Sequence, residues 1–183
     1  MDHFSFAWNT IKKNPGAWIL AHLAYVLVPF GTLLFAVNYC RMVHNAVQND
    51  QAPQLGDLFN TDNLGNDIVT VLVVGLVGFV AALLCVLPAL YIMPILVFVN
   101  FLAAENKITG VDAVKACFAW GKSQWVHCVV TMIVIQFMCS LTIYACGAGL
   151  LVITAFMHLA QYNWFMQHRE DVYAAAAAEG IGA

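Results

Sequence analysis

The sequence predicts an all-α membrane protein made of three helical hairpins, about six membrane helices, with two amphipathic helices at the membrane surface. The 183 residues are 62% hydrophobic and 9% charged, and their mean hydropathy is +0.80. Soluble domains carry roughly 45–50% apolar and about 25% charged residues. Three long stretches, 14–40, 68–104 and 123–168, also contain no Asp, Glu, Lys or Arg. We therefore expect one polytopic membrane domain over residues 1–171.

Two short segments precede apolar stretches and share an amphipathic pattern. Residues 2–14 and 109–122 each carry apolar side chains at helical spacing and end near a lysine, Lys13 in the first and Lys122 in the second. This pattern is typical of helices that lie in the headgroup plane. Thr109 and Asp112 stand in the arrangement of a capping box, which predicts a helix start at that point.

The first apolar stretch is 27 residues long and admits two interpretations. It forms either one tilted or kinked crossing, or two short helices that break at residues 29–31. In the single crossing, Lys12 and Lys13 lie on the opposite side from the other five basic residues. In the hairpin, all seven lie on one side, as the positive-inside rule prefers. The charge pattern therefore favours the hairpin.

The second and third stretches are each long enough for two crossings of about 20 residues. Leu87-Pro88 interrupts one and the Gly-Ala-Gly sequence at 147–149 interrupts the other, so both predict tight hairpins. Between the first two hairpins, residues 43–67 are rich in Asn, Asp, Gly and Pro and predict a polar loop. Residues 172–183 form a tail of low complexity, rich in Ala and Gly.

Charge and cysteine usage exclude several classes of protein. The net charge is −3 with seven Lys and Arg, so no basic surface is available for nucleic acid. The six cysteines lack C-x-x-C spacing, so neither a disulfide framework nor a zinc site is expected. No catalytic motif stands out, and we expect a protein that is not an enzyme and holds no cofactor or metal.

Two histidines are the weak candidates for a binding site. His22 and His158 fall inside apolar stretches, where ionisable groups are costly and are functional candidates by default. Each could serve as a haem ligand, a proton relay or a lipid headgroup contact. Hydrogen bonding between packed helices is the commoner role for such side chains. We expect His22 to lie at the depth of Asn38, and His158 to bond Gln136.

Other polar, aromatic and small residues favour structural roles. Asp57, Asp62 and Asp67 lack the spacing of a calcium loop and predict a solvated loop. Trp120, Trp125 and Trp164, with His127, fit an aromatic belt at the membrane surface. A stripe of small residues allows another helix to approach closely, inside the protein or in an oligomer. The stripe comprises Gly75, Gly78, Ala81 and Ala82.

Three segments of the chain resemble a broad family of uncharacterised prokaryotic integral membrane proteins. The matching motifs lie at residues 28–59, 86–91 and 110–117, and Asn38 stands where the family usually has Gly. This family is related in pattern to the membrane domain attached to some glycerophosphodiester phosphodiesterases. The resemblance implies about six membrane helices and no established activity.

The sequence therefore predicts a non-catalytic membrane subunit, scaffold or accessory component. Its partners are the lipid bilayer and other membrane proteins or a second copy, in a prokaryotic inner membrane with both termini cytoplasmic. Alanines 174–178 are too few for a stable isolated helix, so we expect a partner surface or the bilayer interface to order them. One alternative is a transport or lipid-handling protein, with a pathway lined by His22, Asn38, Asn100, Gln136 or His158. The other is a haem- or quinone-binding electron-transfer subunit.

Overall fold

The computed structural model describes residues 2–28, 35–83, 86–143 and 147–181, and this part of the chain folds into nine helices without a strand. The all-α fold class is thereby confirmed for the described residues. The helices are α1 (Asp2–Lys13), α2 (Pro15–Leu27), α3 (Ala36–Gln48), α4 (Leu55–Leu58), α5 (Leu64–Leu83), α6 (Val86–Ala104), α7 (Gly110–Ser123), α8 (Trp125–Ile143) and α9 (Gly147–Ala178).

Helices α2 and α3 bring the two ends of the first apolar stretch together. Lys13, just before α2, forms an ion pair with Asp50, just after α3. Nearer the turn, His22 Nδ1 lies 3.2 Å from the Tyr39 hydroxyl. These contacts place the start of α2 near the end of α3, as in an antiparallel hairpin. How this stretch crosses a membrane stays a prediction. The predicted break at residues 29–31 lies outside the described residues.

The lengths of the helices bear on how many of them cross a membrane. Helices α2 and α3 have 13 residues each, or about 20 Å, against a hydrocarbon layer of about 30 Å. Within the described ranges, one segment is long and apolar enough to span that layer, Leu64–Ala81 of α5, with a mean hydropathy of 2.0. Pro15–Leu27 and Tyr91–Ala104 are apolar but shorter. Six membrane helices therefore stay a prediction.

The two predicted amphipathic helices form within two residues of their expected bounds. The apolar face of α1 packs on α9, where the ring of Phe4 stacks on Phe156 with centroids 5.7 Å apart. Helix α7 packs against α5, α6 and α9. Its approach to α6 is so close that a Cβ atom on Gly121 would lie 2.5 Å from Ile95 Cδ1.

The predicted capping box at the start of α7 is wrong. Thr109 occupies the N-cap position, but its side chain makes no capping hydrogen bond. The amide of Gly110, which has a φ of 61°, instead donates to Thr70 Oγ1 at 2.8 Å. The first amide of α7 therefore donates to a hydroxyl on α5, because α7 packs against that helix.

Helix α9 corrects our expectation for the tail. It is 32 residues long and includes the alanines at 174–178, with Val172 and Ala176 buried against the rest of the chain. Gly180 adopts a φ of 70°, and the Ile181 amide donates back to the Ala176 carbonyl at 2.9 Å, as in a Schellman cap. The alanine run is thus the end of a long helix packed on its own chain.

The core is rich in aromatic rings, which changes the assignment of two tryptophans. The ring of Phe98 packs against both Trp120 and Trp164, with centroid distances of 4.8 and 4.5 Å, and both tryptophans are buried. They do not belong to an exposed aromatic belt, because the close approach of α7 to α6 encloses them. Trp125 remains 58% exposed.

The residues of the predicted small-residue stripe do not all face the same way: part of the stripe faces α6 and part faces outward. A Cβ on Gly78 would contact Leu96 of α6 at 3.4 Å, whereas nothing lies within 4 Å of a Cβ on Gly75. Ala81 is buried. Gly78 therefore serves internal packing, and Gly75 faces outward.

The outer faces of α5 and α8 are apolar. Large side chains recur there at helical spacing and are 52–70% exposed, as in Leu72, Leu76, Phe79 and Leu83 of α5, and Val126, Val130, Ile133 and Phe137 of α8. By contrast, the polar side chains of His22, Asn38, Arg41, Asp67 and Thr70 are buried. Large apolar side chains that recur along an outer helix face are unusual in a water-soluble protein, and the five buried polar side chains lie in a core that is otherwise apolar.

Candidate functional site

The centre of the buried polar network is Arg41 of α3. Its two terminal nitrogens donate to the two carboxylate oxygens of Asp67, each at 3.1 Å. The same nitrogens donate to Asn38 Oδ1 and, at 2.9 Å, to Asn106 Oδ1, while Nε donates to the Ala104 carbonyl at 3.4 Å. A guanidinium has five N–H donors, so all of them are engaged.

Asn38 extends this network into the polar loop. Its Nδ2 donates to the carbonyl of Leu58 at 3.2 Å and to that of Asn60 at 2.6 Å. The loop itself is shorter than predicted, because α3 continues to Gln48 and α5 begins at Leu64. Asn38 thus fixes the loop on α3, and His22 contacts the adjacent residue of that helix, Tyr39.

The three loop aspartates have separate environments. Asp67 is 1% exposed and paired with Arg41, so its prediction as a solvated loop residue is wrong. Asp57 accepts a hydrogen bond from Asn45 at 3.1 Å, and Asp62 is exposed. Among the described residues, no group of three or more His, Cys, Asp or Glu could hold a metal ion.

The two candidate histidines do meet, inside a cluster of rings. The centroids of His22 and His158 are 5.7 Å apart, and His158 lies 4.9 Å from Tyr39. Tyr25 stacks on Tyr39 at 4.5 Å. The two tyrosines were missed at the sequence level, since aromatic residues in an apolar stretch carry no signal of their own.

Hydrogen bonds within the protein engage ring nitrogens of the two histidines in this cluster. Besides Tyr39, His22 contacts Thr154 Oγ1 through Nε2 at 2.6 Å, so both of its ring nitrogens are engaged. His158 Nδ1 donates to the Thr154 carbonyl at 2.8 Å. The side chain of Gln136, the expected partner of His158, lies outside the described residues. The geometry is that of a packed contact between helices.

A second polar cluster joins the turn after α6 to α9. Arg169 donates from Nε and NH2 to the two carboxylate oxygens of Glu105 at 2.6 and 2.9 Å, and the Tyr173 hydroxyl donates at 2.7 Å. Burial raises the pKa of Glu105, but the hydrogen bonds from Arg169 and Tyr173 outweigh it and hold that pKa below its ordinary value. Glu105 is therefore a carboxylate at neutral pH.

Both ion pairs have a signal in the sequence. Arg41 directly follows the first charge-free stretch and Asp67 directly precedes the second; Glu105 and Arg169 directly follow the second and third. Opposite charges at the boundaries of hairpins that pack together are expected to meet. Pairing the opposite charges at these boundaries predicts both contacts.

A cleft lies beside these ion pairs. It has a volume of about 370 Å³ and opens between α3, the turn after α6 and α9. Its charged and polar lining consists of Arg41, His44, Asn45, Glu105, Asn106, Lys107 and Arg169. The ammonium of Lys107 lies 5.5 Å from the ring centroid of Tyr173, and the guanidinium of Arg169 lies 5.2 Å from the same centroid. The cleft is thus rich in cations.

No family model, curated protein or solved structure matches this chain. The resemblance to a family of prokaryotic integral membrane proteins therefore stays a prediction from its short motifs.

Proposed function

We propose that the protein is a polytopic integral membrane protein that serves as a non-catalytic subunit or scaffold in a prokaryotic inner membrane. The observation that supports this most is the apolar outer face of α5 and of α8, together with the burial of the Arg41–Asp67 pair. In lipid this arrangement places apolar groups in hydrocarbon and pairs the buried charges.

The contacts among charged residues support a common face for the loops and both termini. Lys13 meets Asp50, Arg41 meets Asp67, and Glu105 meets Arg169, so the polar ends of all three predicted hairpins lie together. We assign this face to the cytoplasm by the positive-inside rule.

The role as a subunit or scaffold rests on how the polar residues are used. His22, Asn38 and Arg41 would be the first choices for a transport pathway or a cofactor site, but their polar groups are bonded to the protein itself. Gly75 faces outward on α5 among the exposed Leu72, Leu76 and Phe79. A small residue in such a face allows a second helix to approach closely. We assign the contact with a second copy or another membrane protein to this face of α5.

Membrane insertion and topology are tested together. The protein should stay in the membrane fraction after a wash at alkaline pH and leave it only with detergent. In a background without native cysteines, single cysteines at Ser5, Asp62 and Lys107 should react with an impermeant probe from the same side. Extraction without detergent, or labelling of Ser5 and Asp62 from opposite sides, would exclude the proposed topology.

Assembly is tested by enlarging the outward-facing glycine. Gly75→Leu should reduce the size of the complex on blue-native electrophoresis, because a leucine prevents close approach of a second helix. Gly16→Leu is the matched control, since a Cβ on Gly16 also has nothing within 4 Å. An unchanged complex in the Gly75 variant, or a monomeric wild type, would refute the assigned interface.

A further inference from the structure

We propose that the cleft between α3, α9 and the turn after α6 binds a phosphate ester monoanion, with the ammonium of Lys107 as its main counterion. This goes beyond a scaffold role, because it assigns a ligand class to a site that the subunit function does not require.

The charges of the cleft leave one cation without a partner. Arg41 is matched by Asp67 and Arg169 by Glu105. Lys107 is exposed and forms no ion pair with any carboxylate in the described part of the chain. Lys107 and Arg169 both lie against the ring of Tyr173 and both line the cleft. The cleft therefore carries one net positive charge, which matches the single negative charge of a phosphodiester.

The carboxylate in the cleft does not oppose an anion strongly. The side chain of Glu105 is 4% exposed, and its two oxygens accept three hydrogen bonds from Arg169 and Tyr173. Its charge is thus compensated by the guanidinium of Arg169 and the hydroxyl of Tyr173.

Several N–H donors that line the cleft remain available to an anion, because the oxygens of Glu105 and Asn106 already accept hydrogen bonds from the protein. Arg169 binds Glu105 through Nε and NH2, which leaves its other terminal nitrogen without a partner among the described residues. Asn106 accepts from Arg41 through Oδ1, which leaves its Nδ2 as a donor. Phosphate oxygens are pure acceptors, and guanidinium and ammonium groups are their usual partners.

His44 is oriented to add a further donor. Gln48 Nε2 donates to the Tyr162 oxygen at 3.1 Å, which leaves the hydroxyl hydrogen of Tyr162 for His44 Nδ1 at 3.2 Å. Burial lowers the pKa of His44, which favours the neutral imidazole. In that form, an occupied Nδ1 acceptor places the proton on Nε2, where it can be donated.

The position of the cleft favours a lipid as the source of the phosphate. Glu105 and Arg169 directly follow the charge-free stretches 68–104 and 123–168, so the cleft lies where the hydrocarbon layer ends. This step rests on the proposed membrane location. A soluble phosphate ester has the same chemistry and is separated from a lipid by experiment.

The test uses the full chain purified in a nonionic detergent. Native mass spectrometry measures the binding of added phosphatidylglycerol and, separately, of glycerophosphoglycerol, the soluble phosphodiester that lacks its acyl chains. We expect Lys107→Gln to weaken binding about fivefold, the scale for one basic residue near an anionic headgroup. Lys107→Arg should retain binding. Lys115→Gln is the matched control, because Lys115 is exposed but pairs with Asp112.

Each outcome decides the proposal. Lys107-dependent binding of phosphatidylglycerol that glycerophosphoglycerol does not compete supports a lipid ligand, and Lys107-dependent binding of glycerophosphoglycerol supports a soluble one. Absence of binding, or equal weakening by Lys107→Gln and Lys115→Gln, overturns the site. A chain that binds glycerophosphoglycerol but leaves the membrane without detergent would refute the membrane function alone.

Discussion

Arg41 and Asp67 form a bidentate ion pair that connects the first predicted hairpin to the second. Each terminal nitrogen of the guanidinium lies 3.1 Å from one carboxylate oxygen, and the side chains are 10% and 1% exposed. Buried charges are tolerated when paired and hydrogen-bonded, as they are here with Asn38 and Asn106. The pair therefore fixes how α3 and α5 lie relative to each other.

Removing the charge of Asp67 should be strongly destabilising. Asp67→Asn leaves the buried Arg41 without its counterion, and we expect a loss of about 3–5 kcal/mol in the free energy of unfolding. Asp50→Asn is the control, because the Lys13–Asp50 pair is exposed and Asn suits the φ of 49° at Asp50. Unfolding in mixed micelles by a denaturing detergent measures both. Similar losses in the two variants would show that the buried pair has no special role.

The two histidines should differ in their contribution to stability. His158→Leu removes one hydrogen bond to its own helix, and we expect a loss within about 1–2 kcal/mol. His22→Leu leaves the buried hydroxyl of Tyr39 without this partner and also breaks the contact with Thr154, so it should cost about 2–3 kcal/mol. The same unfolding titration compares them. Loss of a bound chromophore in folded His158→Leu protein would contradict the packing role.

The contact between α7 and α6 should not accept a methyl group. Gly121→Ala places a Cβ against Ile95 and should cost about 1–3 kcal/mol from overpacking. Gly75→Ala adds a methyl group where nothing lies within 4 Å, so no loss is expected. Thermal unfolding in detergent measures the difference. Equal stabilities would mean that α7 can move away from α6 at no cost.

Two neighbouring alanines near the end of α9 differ in exposure, so substitutions at them compare a buried with an exposed position. Ala176 is 1% exposed and Ala177 is exposed on the same helical turn. Ala176→Glu should lower the free energy of unfolding by about 3 kcal/mol or more, because it buries an unpaired carboxylate. Ala177→Glu should leave it unchanged. If Ala177→Glu instead breaks the complex on native electrophoresis, a partner binds the outer face of this turn.

At acid pH, the free energy of unfolding should depend on the charge of Glu105. Its pKa in the folded protein lies below the ordinary value of 4.5. The ionised carboxylate thus stabilises the fold fully above that value, and this stability is lost as the pH falls through the lower folded pKa. Unfolding titrations from neutral to acid pH should show a flatter decline for Glu105→Gln than for the wild type. Glu179→Gln, at an exposed position, is the control and should follow the wild type.

The sequence predicts the positions of the helices better than it predicts which helices pack against each other. Charge-free stretches and apolar spacing located α1, α5 and α7, because these patterns record burial along one chain. The environments of Asp67 and Trp120 were assigned wrongly. Both depend on which helix packs alongside, and neither position carries that information by itself.

The candidate site was predictable only in part. His22 and His158 were identified because a histidine in an apolar stretch is unusual, and they do lie together. The roles of Tyr39 and Thr154 depend on the register between α2, α3 and α9. The cleft beside Lys107 was not predicted, because it is formed by residues that are distant in sequence and ordinary in composition.

The length and contacts of α9 have a consequence for biosynthesis. This last helix contacts α1, α2, α3, α6, α7 and α8. Because a ribosome makes α9 after these six helices, each of the six emerges before the surface of α9 that it contacts exists. The apolar face of α1 that packs on Phe156 must therefore be held by lipid or by a chaperone while more than a hundred further residues are synthesised. Maturation should accordingly be slow compared with insertion, and protease resistance of the α1 region should appear only after synthesis of α9 is complete.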